Sequence, residues 1–395
     1  MASKVNLPQD ALTEILLRLP VKSLIRFKCV SKSWFSLLTS PLFIDMHLKF
    51  SLTRDDEFVL IKRFVNDDTT HETLLSLHIN DESLSVLVSD LEIPSFIDEP
   101  PYYHVPELMG SCNGIICLFY YDNFILFNPA TRQIRIIPPH PPCPEDFFRI
   151  CECWGFGFDT ATDDYKIVII SRLEIENPLN DTDIEFLNQD SDHHEARIYS
   201  LRMDSWKELD YVPPKIRSFR PNGFDLFFNN RIHWTEWAPY ILSLDISTEV
   251  FHKFGYPKAN EISSYGRYYK SLAVINNTLT LILYDSYRSS NSHFLEQFID
   301  VWIMKEYSNE ESWSKQYSIG PFTGISRPIS IWKNNRIFLE KVVGGYLDRD
   351  KLVQLAACDL FNCEQLLMYN SIHGKCEFSM EVVFYKETLV SIARN

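Results

Sequence analysis

The sequence predicts a two-part α+β chain: a small all-α module over residues 1–50, then an all-β domain over residues 51–395 built as a propeller of about six degenerate blades. Three observations carry this expectation. Apolar residues recur at helical spacing up to about residue 50, and no long stretch beyond it does so convincingly. Short β-branched and aromatic runs then take over, each bounded by turn residues. Two turn phrases also recur, one of them at roughly the length of one four-stranded blade. A pair of β-sandwiches is the alternative arrangement of the same strands.

Within the first fifty residues, Pro8 suits the first turn of a helix, where a missing N–H costs nothing. Asp10 and Glu14 lie early in that helix, where the dipole favours acids. Leu12, Ile15, Leu16 and Leu19 form its apolar face, and Pro20 ends it. A second helix carries Val21, Leu24, Ile25 and Phe27. Ser31 is the expected N-cap of a third, with Trp34, Leu37 and Leu38 on its face. Ser40-Pro41 reads as N-cap and first position of a fourth, carrying Leu42, Phe43, Met46 and Leu48. So many apolar side chains exceed what fifty residues can bury among themselves, so part of this surface should be left for a partner.

In the larger part, Phe58-Val59-Leu60-Ile61, Ile115-Ile116-Cys117-Leu118-Phe119, Lys166-Ile167-Val168-Ile169-Ile170 and Thr280-Leu281-Ile282-Leu283 read as strands. The first turn phrase is Phe127-Asn128-Pro129-Ala130-Thr131-Arg132, repeated at Phe158-Asp159, Leu201 to Trp206, Leu244-Asp245 and Cys358-Asp359. Its Asp or Asn can bond its own backbone across the turn. The second phrase starts with Asn-Asn at 229, 276 and 334, spaced 47 and 58 residues apart, and suits a tight hairpin needing positive φ. The chain lacks kelch-type repetition, since its only Gly-Gly, at 344–345, does not recur, and it has no Gly-His or Trp-Asp phrases of WD repeats.

Net charge is −15, which argues against nucleic acid as the main ligand. The charge is uneven: +4 over residues 1–50 and −19 over the remainder. No apolar run reaches the roughly 18 residues of a membrane span, and the first residues lack the apolar core of a signal peptide. A cytosolic or nuclear protein is expected, with no membrane partner. The nine irregularly spaced cysteines read as buried thiols of a reducing compartment.

The run Leu7-Pro8, Ile15-Leu16, Leu19-Pro20-Val21-Lys22-Ser23-Leu24, Phe27-Lys28-Cys29-Val30-Ser31-Lys32-Ser33-Trp34 resembles the F-box motif across nearly its whole length. The resemblance implies docking to the acidic Skp-type adaptor of a cullin–RING ubiquitin ligase, and through it to the cullin and RING subunits. It places adaptor contacts at Leu7, Pro8, Ile15, Leu16, Leu19, Pro20, Val21 and Leu24, with Phe27, Val30 and Trp34 shared between core and interface. Gly110-Ser111-Cys112-Asn113-Gly114, Leu126-Phe127-Asn128-Pro129-Ala130-Thr131 and Gly155-Phe156-Gly157-Phe158-Asp159 resemble the plant F-box-associated domain. Phrase spacing and length are most similar to the S-locus F-box proteins of pollen. That resemblance implies a receptor for non-self style ribonucleases in pollen-tube cytosol, marking them for ubiquitination and degradation in self-incompatibility.

Residues 173–196 hold Glu174, Glu176, Asp181, Asp183, Glu185, Asp190, Asp192 and Glu195, and no Lys or Arg. This stretch reads as an inter-strand insertion, either a rim that attracts a basic target or a solvated loop. Tyr265, Tyr268, Tyr269, Tyr284 and Tyr287 with Arg267 and Arg288 have hot-spot composition, though half-buried blade residues are the preferred reading of the stretch. Tyr268 and Arg288 are the candidate target contacts there. No catalytic signature is present: no GxSxG, Gly-rich phosphate loop or HExxH. His140, Cys143, Cys151 and Cys153 do not have structural-zinc spacing. The expectation is a receptor without cofactor, metal or catalytic residues, with a sugar-binding or hydrolytic propeller as the lower-ranked alternative.

Overall fold

The computed structural model describes residues 8–393 apart from 55, 67–70, 85–86, 92–105, 121–122, 143–146, 176–192, 211–225, 236–239, 258–268, 285–295, 334, 344–351, 362–365 and 376–379. Four helices open the chain: α1 (Gln9–Leu17), α2 (Val21–Phe27), α3 (Lys32–Thr39) and α4 (Pro41–Leu52). Their starts follow from side-chain chemistry. Ser31 Oγ accepts the Trp34 N–H and Ser40 Oγ the Phe43 N–H, each at 3.2 Å, and Pro41 opens α4. Pro8 sits at the N-cap of α1 rather than inside its first turn, with its carbonyl accepting from the Leu12 N–H at 3.0 Å. Pro20 does more than end α1, because it also caps α2.

The rest is six four-stranded antiparallel blades. Blade 1 contains β1 (Phe58–Asn66), β2 (His71–Ile79) and β3 (Leu87–Leu91). Blade 2 contains β4 (Glu107–Cys112), β5 (Ile115–Tyr120), β6 (Asn123–Asn128) and β7 (Gln133–Ile136). Blade 3 contains β8 (Phe147–Asp159), β9 (Asp164–Ile175), β10 (His193–Ser200) and β11 (Ser205–Glu208). Blade 4 contains β12 (Leu226–Phe228), β13 (Arg231–Thr235), β14 (Tyr240–Asp245) and β15 (Val250–Gly255). Blade 5 contains β16 (Tyr269–Ile275), β17 (Thr278–Tyr284), β18 (Gln297–Met304) and β19 (Trp313–Phe322). Blade 6 contains β20 (Ile325–Trp332), β21 (Arg336–Val343), β22 (Leu352–Asp359) and β23 (Leu367–Lys375).

A final strand, β24 (Glu381–Tyr385), returns to blade 1 and pairs antiparallel with β1, Phe58 facing Tyr385. The first strands β4, β8, β12, β16 and β20, with β24 in the same place in blade 1, touch in a closed ring. This is a propeller closed by its C-terminal strand, and it replaces the alternative of two sandwiches.

Six apolar clusters hold it together, one in each gap between adjacent blades. Both faces of a blade are therefore covered. That is why β5 and β17 read as continuous apolar runs rather than alternating ones.

Where described, the turn phrases form hairpins as expected, and Asn334 of the third Asn-Asn phrase lies outside the described residues. Asn229, Asn230, Asn276 and Asn277 all have φ between 47° and 59°. Asn128, Asp159 and Asp245 each accept the backbone N–H two residues on, and Arg132, Asp163 and Glu249, four residues on, have positive φ. The third copy is displaced by two residues from the predicted frame. Ser200 takes the Asn/Asp place, accepting the Met203 N–H at 3.0 Å, and Asp204 is the positive-φ residue. Among the described cysteines, Cys29 is exposed rather than buried, and Cys358 is disulfide-bonded, so the expectation of buried thiols throughout does not hold.

Candidate docking surface and recognition face

The helices bury Leu16, Leu17, Val21, Leu24, Leu38 and Phe43 around Leu389, which comes from the tail after β24. Leu16, Val21 and Leu24 were expected to contact an adaptor, but each is at most 1% exposed. Helices of two turns need one stripe each for their own core, and these residues occupy it. Leu19, Phe27 and Trp34 are half-buried, and the Phe27 and Trp34 rings meet edge-on at 5.3 Å. Pro8 and Pro20 are exposed, as are Ile15 at 49% and Val30 at 61%, while Leu7 lies outside the described residues. Phe35 and Leu42 are exposed at 54% and 70% and were not among the expected contacts. Phe35 gave one usable signal, an aromatic off the Trp34/Leu37/Leu38 face.

A short tail fastens this module to the propeller. Lys386 Nζ donates to the carbonyls of Ser51, Leu52 and Arg54, closing the C-terminal end of α4. Asn128 Nδ2 donates to the Thr388 and Val390 carbonyls at 3.3 and 2.8 Å. Gly114, at φ +76°, turns the β4–β5 hairpin so tightly under the tail that a Cβ there would lie 2.5 Å from the Lys386 carbonyl. The helices therefore sit on the face bearing the short hairpins. Adjacent blades are buckled together on this same face. Asp159, fully buried, accepts from Lys166 at 2.8 Å, from Thr162 at 2.7 Å and from Ser247 of the next blade. Despite its burial, these donors hold its carboxyl well below the usual range.

The opposite face begins the first strands. There Glu381 accepts from Lys62 at 3.0 Å and from the Leu108 N–H at 2.8 Å. Arg327 donates to the Met380 carbonyl at 2.6 Å, so charged groups of blades 1 and 6 and a backbone N–H of blade 2 hold the start of the closing strand. Beside them, burial and the Glu381 carboxylate push Glu107 up to about 8, with Lys62 opposing. Its Oε2 has no hydrogen-bond partner.

Of the expected target-binding residues, Glu174 lies in β9, but its side chain is outside the described residues. So are Glu176, Asp181, Asp183, Glu185, Asp190, Asp192, Tyr268 and Arg288 in full. Glu195, from the same acidic stretch, is buried between Arg149 and Arg197 and cannot attract a partner from solution. Tyr269 and Tyr284 pair across β16 and β17 with rings 5.7 Å apart, Tyr269 half-buried and Tyr284 buried in the blade. His140 accepts from Arg149 at 2.7 Å and meets Trp206 edge-on, and Cys143 lies outside the described residues.

Residues 5–45 match the F-box domain, and residues 68–342 match the F-box associated beta propeller domain, well over half of the chain. The chain belongs to the F-box-associated β-propeller family. It is similar to F-box protein CPR1 of Arabidopsis thaliana, at 28% identity over 80% of this chain and 73% of that protein. An F-box/kelch-repeat protein of Arabidopsis thaliana is 27% identical over 99% of this chain and 97% of its own. F-box/WD-40 repeat-containing protein 1 of Arabidopsis thaliana is 26% identical over 84% and 75%. The kelch and WD-40 names are consistent with the propeller, although this chain carries neither repeat signature. Among the described residues no helix is long and apolar enough to cross a membrane.

Proposed function

We propose that this F-box protein is a substrate receptor of an SCF-type ubiquitin ligase, with no catalytic centre or cofactor of its own. The observation that carries this is the exposed apolar set Ile15, Phe35 and Leu42 on the F-box helices with Val30 in the α2–α3 turn, a module fastened to one propeller face while the opposite face is left for a target. The helices dock a Skp-type adaptor and, through it, the cullin and RING subunits. The propeller holds the target, and ligation follows from proximity, since holding reactants together raises their effective concentration. Working domain limits of 1–50 and 51–395 go with this reading, as does a place in the cytosol or nucleus.

The adaptor reading is tested with the full chain. Ile15→Asp with Val30→Asp places two charges on exposed positions, so the fold is retained while co-purification with the adaptor is lost. Undiminished co-purification would remove these positions from the interface. Leu16→Asp is unsuitable for this test, because Leu16 is buried in the helical core and its loss would unfold the module.

For the target, we propose a basic secreted-type ribonuclease, a non-self S-locus ribonuclease met in pollen-tube cytosol. Support comes from the resemblance of spacing to the S-locus F-box proteins and from the charge of −19 on residues beyond 50. None of the three relatives named above carries an S-locus name. Affinity capture from pollen tubes should recover a style ribonuclease. Recovery of a different protein alone would replace the ribonuclease with an unrelated plant target while leaving the ligase role intact.

A further inference from the structure

Between blades 2 and 3 the apolar core ends before it reaches the face opposite the F-box. Ile167, Ile169, Tyr199, Trp154 and Phe156 of blade 3 pack against blade 2. Nearer that face, the same side of the blade carries Ser171, Glu195 and Arg197, with Ser171 opposite Glu195 in the β9–β10 register. Arg149, from β8, completes the group. Side-chain exposure is 7% for Arg149 and 9% each for Glu195 and Arg197, and Ser171 is fully buried.

Most of the hydrogen bonds of this group are accounted for. The Glu195 carboxylate accepts from Arg149 Nε at Oε1 and from Arg197 Nη2 at Oε2, the latter at 3.0 Å. Arg149 Nη1 donates to His140 Nδ1 at 2.7 Å, and Arg197 Nη1 to the Pro141 carbonyl at 2.9 Å. Three buried polar atoms are left without any partner: Arg149 Nη2, Arg197 Nε and Ser171 Oγ. The two guanidinium atoms can only donate, and the hydroxyl can donate. Among the described residues, two guanidinium groups face one carboxylate and leave one positive charge uncompensated in a buried setting, which is costly unless something neutralises it.

We propose that this gap between blades 2 and 3 is a binding site for a carboxylate. One carboxylate supplies the lone pairs that the three orphaned donors lack, and its single negative charge brings the cluster to neutrality. A phosphate monoester, closer to two negative charges at pH 7, would overshoot that balance. The carboxylate comes either from a free small acid or from an acidic residue or C-terminus of a protein presented at this face. The site stands apart from adaptor docking, so its failure would leave the ligase reading untouched.

The test uses the full-length chain and thermal unfolding at matched ionic strength. Sodium acetate should raise the melting temperature in a saturable way, and sodium chloride should not. A short peptide ending in a free carboxylate should do the same when a protein supplies the group, with its C-terminal amide inert. A response to acetate without a response to the peptide assigns the site to small acids. Ser171→Ala removes one donor with little change of shape and should weaken acetate about tenfold, as expected for a hydrogen bond to a charged group. Arg149→Gln should abolish the response. If neither acetate nor the peptide acts beyond chloride, or if Ser171→Ala and Arg149→Gln respond as the wild type does, the gap holds water only and the proposal falls. Phosphate acting as well as acetate would overturn the single-charge argument.

Discussion

Glu107 shows how far a side chain can depart from its ordinary chemistry once a fold closes over it. At the start of β4 it lies beside the Glu381 carboxylate with one oxygen unpartnered, and its carboxyl is pushed up to about 8. In the unfolded chain the same group ionises near pH 4.5. Below that pH both states hold the proton, and stability does not depend on this residue. As pH rises from 4.5 to 8 the unfolded state releases the proton while the folded state keeps it, so stability falls through this window and levels off above it. Glu107→Gln should remove this part of the slope and be more stable than the wild type at pH 8. Urea unfolding of both proteins from pH 5 to 9 measures it, and parallel curves would mean that Glu107 ionises freely in the fold. Nothing in the local sequence around Glu107 signals this, because its neighbour Glu381 is brought in from the other end of the chain.

Among the elements, the tail after β24 couples the two parts of the molecule. Leu389 completes the helical core, Lys386 closes the C-terminal end of α4, and Asn128 grips Thr388 and Val390. Leu389→Ala leaves a cavity in the helical core and should cost about 2–4 kcal/mol there. Faster amide exchange in α1–α4 with unchanged exchange in the blades would register that loss. Uniform change across the chain would mean that helices and propeller unfold as one unit. Helix starts were legible because capping is local: Ser31 and Ser40 act within three residues of themselves. The Asn-Asn hairpins were legible for the same reason. The Ser200 turn was misframed because Ser substitutes for Asp by the same hydrogen bond, while a genuine Asp, Asp204, stands four residues on in a different role.

At the scale of the whole molecule, charge is divided between the parts, +4 on residues 1–50 and −19 on the rest. A basic target should therefore associate faster at low salt than at high salt. Replacing Glu176, Asp181, Asp183, Glu185, Asp190 and Asp192 by their amides should slow association severalfold at low salt and leave dissociation nearly unchanged. Stopped-flow association with the captured target measures this, and an unchanged on-rate would remove the stretch from steering. Glu195 does not belong in that set, because Arg149 and Arg197 already neutralise it.

Sequence alone determined the features whose causes are short-range: the helix caps, the hairpin turns, the strand-rich body with about one blade per phrase interval, and the F-box phrases. Tertiary structure decided what depends on distant residues meeting. It closed the ring with β24, seated the helices on one face through Leu389, and buried Leu16, Val21 and Leu24 while leaving Ile15 and Val30 outside. It also tied Asp159 to Ser247 and left Arg149 Nη2, Arg197 Nε and Ser171 Oγ unpartnered between blades 2 and 3. The physical reason is that a periodic apolar stripe says which face of an element is buried, but not against what, and a charge says nothing of its partner until the blades stack.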